Sequence, residues 1–245
     1  MEPRIVIAGI SGRMGRLLRE EVANAKLPLT GGSSRGGPSL AELAPSADVV
    51  IDFTNAGTAA SHAATLASAG VAWILGTSGL SAADEAAVRV AAEKIPVVYA
   101  PNFAPGVILV LAIAERMAAA LPADRYDAEI VEMHHRQKVD APSGTAVGLG
   151  RAVAKGRGVD LAQVMESGRD GHTGPRKPGA IGFAALRGGQ VVGEHTLLFA
   201  GGDEHIALTH RAFDRRAFAV GAVQAARWVA GRAPGLYDMR DVLGI

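Results

Sequence analysis

The run from Arg4 to Ala8 is almost wholly apolar. It stops at Gly9-Ile10-Ser11-Gly12-Arg13-Met14-Gly15 and passes at once into a helical period, with Met14, Leu17, Leu18, Val22 and Ala25 on one side. A strand apolar on both faces belongs in a parallel sheet covered by helices. Glycines at the turn let backbone N–H groups and the helix start approach a pyrophosphate. The spacing is GxxGxxG, with Ser11 where the commoner motif has its second glycine. Such a turn also serves plain strand-to-helix packing, and it is the flanking strand and helix that favour a dinucleotide site.

The unit then recurs. Leu27–Thr30 reads as a short second strand and Ala47–Phe53 as a third, Thr58–Ala69 as an alanine-rich helix, and Val71–Leu75 as a strand ending in Gly76-Thr77-Ser78-Gly79. Ala82–Lys94 is helical, and Pro96–Ala100 is a strand ending in Pro101-Asn102-Phe103. Strands alternating with helices specify an α/β fold with a Rossmann-type, doubly wound parallel sheet. Ligands bind such sheets beyond the carboxyl ends of the strands. Gly9, Asp52-Phe53-Thr54, Gly76-Thr77-Ser78 and Ala100–Phe103 all fall on that edge. No acidic residue occurs from Leu27 to Ala41, where a ribose-binding carboxylate is normally found, and Arg35 stands among glycines and serines. Ser34 and Arg35 are therefore expected to receive a 2′-phosphate, so that NADPH serves at least as well as NADH.

At Phe103-Ala104-Pro105-Gly106 the alternation breaks, which places a hinge between domains there. Residues 1–104 and 216–245 are expected to form the dinucleotide-binding domain, and 105–215 a domain for substrate binding and oligomerisation. Val107–Leu121 is helical. Tyr126–His134 is a strand with Tyr126, Ala128, Ile130, Glu132 and His134 on one face. Ala180–Leu186, Gln190–Ala200 and Glu204–Arg211 follow as strands without intervening helices, so the second half is expected to be α+β with an open mixed sheet. Arg216–Gly231 is an amphipathic helix suited to return and cover the first sheet, with Leu236–Val242 after it.

Composition narrows the chemistry. The 245 residues are 49% hydrophobic and 20% charged with a formal net charge of +1, which gives no basic surplus for a nucleic-acid partner. There are no cysteines, so thiolate nucleophiles, thiolate zinc sites and disulfides are excluded. Met1-Glu2-Pro3-Arg4 lacks the features of a secretory signal, and the apolar window Gly106–Ala114 is too short to span a bilayer. A cytoplasmic protein with no membrane partner is the expectation.

The chemistry concentrates in Glu132-Met133-His134-His135-Arg136-Gln137-Lys138-Val139-Asp140-Ala141-Pro142-Ser143-Gly144-Thr145-Ala146. Adjacent histidines lack the spacing of a helical zinc site, so proton transfer is read here and no metal. On a strand His134 and His135 face opposite ways, and both enter one cleft only if the strand ends there. A histidine is a general acid near neutrality, and Lys138 adds a fixed cation or second donor. Ser143 caps a helix whose start at Gly144 and Thr145 makes a carboxylate site. His62, His195, His205 and His210 read as ordinary polar residues, whereas His172 sits in a glycine-rich loop able to cross a cleft.

With these residues, the chain resembles the 4-hydroxy-tetrahydrodipicolinate reductase (dihydrodipicolinate reductase) family over nearly its full length. The resemblance rests on Gly9–Gly15, Asp52-Phe53-Thr54, Gly76–Gly79, Asn102-Phe103, Glu132–Ala146, Gly171-His172-Thr173-Gly174, Gly193-Glu194-His195-Thr196 and Gly235–Arg240. It implies reduction of a small cyclic dicarboxylate in diaminopimelate and lysine biosynthesis, and a homotetramer built through the second-domain sheets. It implies His134 as proton donor with Lys138 assisting, and substrate contacts from His135, Gly144 and Thr145. It implies cofactor contacts from Gly9, Ile10, Ser11, Gly12, Arg13 and Met14, from Gly76, Thr77 and Ser78, and from Ala100, Pro101, Asn102 and Phe103. The segment between Gly31 and Ala47 is shorter than usual, and Ser34 stands where members often carry an acidic residue; both bear on the NADH–NADPH balance. An aspartate dehydrogenase and a non-catalytic dinucleotide sensor are the competing readings.

Overall fold

A computed structural model describes residues 2–245, so Met1, the first residue of the segment read for a signal, lies outside the described residues. The chain divides into two compact units, Met1–Pro105 with Arg215–Ile245, and Gly106–Asp214.

The first unit is built on β1 (Ile5–Ala8), α1 (Arg13–Asn24), β2 (Leu29–Ser33), α2 (Leu40–Leu43), β3 (Val49–Asp52), α3 (Ala59–Ala69), β4 (Ala72–Leu75), α4 (Ala82–Ala92) and β5 (Pro96–Tyr99). Its sheet is wholly parallel in the order β2-β1-β3-β4-β5, extended beyond β5 by a late strand, Gly235–Tyr237. β1, β3 and β4 are buried throughout, as strands covered on both faces must be. Trp73, Leu66, Val88 and Ile95 fill the layer on one side. The returning helix (Arg216–Val229) packs against α1 and β3–β5. Its Gly221 lies so close to the Phe103 carbonyl that a Cβ would collide with it.

The second strand is displaced from expectation, running Leu29–Ser33 and not Leu27–Thr30. It is an edge strand in which Gly31 and Gly32 are needed for packing: a Cβ on Gly32 would strike the Ile10 side chain, and one on Gly31 the Leu43 methyls. Close approach, not β-propensity, sets its limits.

The second unit contains α5 (Pro105–Ala120), β6 (Asp127–His134), α6 (Gly144–Gly156), α7 (Leu161–Val164), β7 (Met165–Ser167), β8 (Ile181–Arg187), β9 (Gly193–Ala200) and β10 (His205–Ala212). Its five-stranded sheet is mixed, in the order β10-β9-β6-β8-β7, with β9 antiparallel to both neighbours and β6, β8 and β7 parallel. The short α7–β7 pair has no signal in the sequence period. Period-2 burial along β6 and β9 puts Ala128, Ile130, Glu132 and His134 on the inner face with His195, Leu197 and Phe199. α5 and α6 cover that face.

The carboxy-terminal segment completes the first unit. The expected stretch Leu236–Val242 is two elements, β11 (Gly235–Tyr237) and α9 (Met239–Leu243), after α8 (Arg216–Val229). Asp238 caps α9 in a reciprocal box with Asp241. Among the described residues no helix is long and apolar enough to cross a membrane.

Candidate active site

β6 delivers Glu132 and His134 to the same inner face, two residues apart. Glu132 is 1% exposed, and its carboxylate is saturated. Oε2 accepts from His134 Nδ1 at 2.6 Å and from Arg187 at 2.8 Å. Oε1 accepts from Arg187 at 2.8 Å and from the Ser143 N–H at 3.0 Å. Burial pushes the Glu132 carboxyl up, but these donors, Arg187 foremost, outweigh it and hold the group below its ordinary range. Arg187 also donates to the carbonyls of Asp140 and Leu186, so it ties the loop after β6 to Glu132.

The strand ends at His134 and the chain turns. His135 therefore escapes strand alternation; its N–H donates to Val191 O at 2.7 Å, and its Nδ1 is buried without a partner. Among the described residues no hydrogen bond joins its ring to His134, Lys138 or Ser143. Lys138 Nζ is clasped by both Asp140 oxygens at 2.7 and 2.9 Å. A cis Ala141–Pro142 bond then leads into Ser143, which caps α6 by accepting from the Ala146 N–H at 3.2 Å. Beside Gly144 a Cβ would meet nothing within 4 Å, so the helix start has room for a ligand.

His195, expected to be an ordinary polar residue, stands beside His134. Its ring is buried, stands edge-on to His134 with centroids 5.0 Å apart, and has Nε2 2.9 Å from Ser143 Oγ. Burial, helped by the His134 charge, pushes it down to about 4, so it is neutral near pH 7. Burial also lowers His134, while the hydrogen bond and charge of Glu132 oppose the change. His195 and Arg187 were not selectable from local spacing, since each joins the site through sheet register: Glu132 lies opposite His195 on β9, and His134 opposite Arg187 on β8, whereas Asp140 lies two residues from Lys138 in the loop after β6. His172, expected in a loop able to cross a cleft, is an exposed loop residue. Among the described residues no cluster of three or more His, Asp or Glu side chains is placed to hold a metal ion.

The first unit carries a cavity of about 670 Å³ over the carboxyl ends of its strands. Gly9, Ser11, Gly12, Arg13 and Met14 line it from the glycine turn, and Ser34 and Arg35 from the end of β2. Gly9 adopts φ +74°, and a Cβ on Gly15 would collide with the Gly9 and Ile10 carbonyls, so these glycines are structural requirements of the turn. Ile10 does not line the cavity; it packs on Gly32. Nor do Gly76, Thr77, Ser78, Ala100, Pro101, Asn102 and Phe103. Two of these border it through Phe53, which does line it: the Phe53 ring lies on the Gly76 backbone and edge-on to Phe103 at 5.3 Å. Arg215 and His62, not singled out as cofactor residues, also line it. His62 Nδ1 is 2.7 Å from Asp52 Oδ2. Among the described residues no carboxylate pairs with the guanidinium groups of Arg13, Arg35 and Arg215, so a cavity with a glycine turn and three such cations fits a polyanionic dinucleotide.

Two family models match in tandem: "Dihydrodipicolinate reductase, N-terminus" over residues 3–103 and "Dihydrodipicolinate reductase, C-terminus" over residues 106–243. The chain belongs to the dihydrodipicolinate reductase family. The chain is 69% identical to the 4-hydroxy-tetrahydrodipicolinate reductase of Granulibacter bethesdensis, with 99% of this chain and 97% of the relative covered. It is 48% identical to that of Thiobacillus denitrificans over 100% of both. A solved dihydrodipicolinate reductase from Paenisporosarcina sp. TG-14, bound to dipicolinate, superposes with a TM-score of 0.76 at 25% identity, covering 97% of this chain and 98% of that one. Membership of this reductase family bears out the resemblance read from Glu132–Ala146 and the glycine turn, and with it the two-sheet α/β architecture.

Proposed function

We propose that this chain reduces 4-hydroxy-tetrahydrodipicolinate to tetrahydrodipicolinate with loss of water, in the synthesis of diaminopimelate and lysine. The observation that carries the reading is the junction of a proton donor and an anion site through one carboxylate: Glu132 accepts from His134 and from the backbone of Ser143, the cap of α6. A cyclic imine dicarboxylate needs both groups. When bound, the reduced nicotinamide supplies hydride to the ring carbon conjugated with the imine. His134 Nε2, the ring nitrogen that Glu132 leaves free, delivers a proton to the resulting enamine. The helix start at Gly144 and Thr145 and the Lys138 ammonium hold substrate carboxylates, and His135 borders them.

In this reading Gly9 and Ser11–Met14 cradle the pyrophosphate, with the Ile10 side chain turned onto Gly32. Ser34 and Arg35 receive the 2′-phosphate, Arg215 adds a third cation to the groove, and NADPH is used at least as well as NADH. Gly76–Ser78 and Ala100–Phe103 complete the nicotinamide end. The unit Met1–Pro105 with Arg215–Ile245 serves as the dinucleotide domain, and Gly106–Asp214 as the substrate domain. The outer face of the mixed sheet, with Val131 and Leu186 exposed beside Thr196 and Thr209, is assigned to a homotetramer, and the protein to the cytoplasm.

The test is nicotinamide oxidation in a coupled assay that generates the unstable substrate in situ, beside a panel that includes iminoaspartate. Turnover confined to the cyclic substrate is expected. Turnover of iminoaspartate alone would reassign the chain to the aspartate dehydrogenases, and binding of NADPH without any turnover would make it a sensor.

A further inference from the structure

We infer that Glu132 is the positioning residue of the proton donor: its carboxylate fixes the His134 ring with Nδ1 protonated and Nε2 presented to substrate, and supplies the negative charge that lets a buried imidazole take a second proton. The inference rests on the reading of His134 as the acid.

The geometry leaves the carboxylate no other state. A carboxylate offers about four lone-pair sites, and here four donors occupy them, two on each oxygen. Each oxygen is held by one Arg187 nitrogen, so the group cannot rotate, and Arg187 is itself anchored on the carbonyls of Asp140 and Leu186. An ionised carboxylate only accepts, so the hydrogen shared with His134 must sit on Nδ1. Neutral His134 therefore has its lone pair on Nε2, and protonation occurs there. The groups facing the ring are Glu132 on its own strand, Arg187 from β8, His195 from β9, and Lys138 from the following loop. Glu132 is the one anion in that set. Burial, Lys138 and Arg187 all disfavour the imidazolium, so without Glu132 the ring would hold no transferable proton near neutrality.

A purely structural Glu132–Arg187 pair would support folding but leave the titration of His134 untouched, and this separates the two roles. In the full-length chain with ring-15N-labelled histidine, NMR should show neutral His134 as the Nδ1–H tautomer. In Glu132→Gln, the His134 midpoint should move to a pH lower by about one or more, as loss of an adjacent opposite charge does. kcat should fall about tenfold to a hundredfold with KM little changed, within what removal of the acid itself would cost. Glu132→Asp keeps the charge and should recover most of the titration shift. An Nε2–H tautomer in the wild type, which needs no variant to fold, would overturn the inference, as would an unchanged His134 midpoint in Glu132→Gln. Full turnover in His134→Gln would instead remove the acid reading while leaving the tautomer and titration results intact, so the two failures are distinguishable.

Discussion

Ser143 Oγ lies 2.9 Å from His195 Nε2, so the cap of α6 is fastened to a buried imidazole on β9. The same hydroxyl accepts from the Ala146 N–H, and the Ser143 N–H donates to Glu132. One small residue thus joins the helix start, the carboxylate and a ring stacked edge-on against His134.

Ser143→Ala removes the cap and leaves both ring nitrogens of His195 buried without partners, since Nδ1 already has none. Loss of an N-cap costs about 1 kcal/mol, and a stranded buried polar group about as much again or more. Urea unfolding should show a loss of about 2 kcal/mol or more, with a higher KM for substrate because the anion site loses its anchor.

His195 also makes stability depend on pH. Its folded value is about 4 against an ordinary 6.5, so the unfolded chain takes up a proton that the folded chain refuses. The contribution is complete above the unfolded value, declines as pH falls below 6.5, and levels off near 4, amounting to on the order of 3 kcal/mol. Unfolding free energy measured at pH 7, 6 and 5 should therefore fall across that window, and His195→Asn should flatten the slope even if it lowers stability at every pH. A wild-type slope that matches the variant's would remove His195 as its source.

Lys138 is already paired with Asp140, at 2.7 and 2.9 Å, but Asp140 is 55% exposed and water screens the pair. Substrate carboxylate can therefore compete for the ammonium. Lys138→Ala should raise KM and lower kcat, each by about tenfold, as loss of a charge-assisted hydrogen bond does. Asp140→Ala frees the ammonium and should lower KM or leave it alone. Steady-state kinetics of the two variants checks both signs.

Arg35 lines the cavity from the end of β2, and among the described residues no carboxylate pairs with it. Arg35→Ala should weaken NADPH binding by about tenfold or more while changing NADH by less than about threefold. Fluorescence titration of the two nucleotides measures this directly; equal losses for both would place Arg35 outside the 2′-phosphate site.

The parallel sheet was legible because each of its central strands is buried on both faces and reads as a short apolar run, bounded by glycine or by a helix start. β6 and β9 were legible for the opposite reason, since their strict alternation selects one face, and that alternation placed Glu132 beside His134 correctly. What could not be read was lateral. His195 and Arg187 are 61 and 53 residues beyond His134 in the numbering, and only the β9 and β8 registers bring them to it. A lone histidine on an apolar strand face gives no local sign of its neighbour. β2 was misplaced because Gly31 and Gly32 weaken any propensity argument, and their reason for being there, the Ile10 and Leu43 side chains, lies elsewhere in the chain. His135 was uncertain from alternation, and the end of the strand at His134 removes that objection without giving its ring a partner.

The proton donor is the centre of the account, and His134→Gln tests it most directly. The glutamine retains bulk and a hydrogen bond to Glu132 but cannot carry a transferable proton. In the coupled assay kcat should fall by about a hundredfold or more. NADPH affinity, measured by fluorescence, should stay at the wild-type value. Wild-type turnover in this variant would contradict the account.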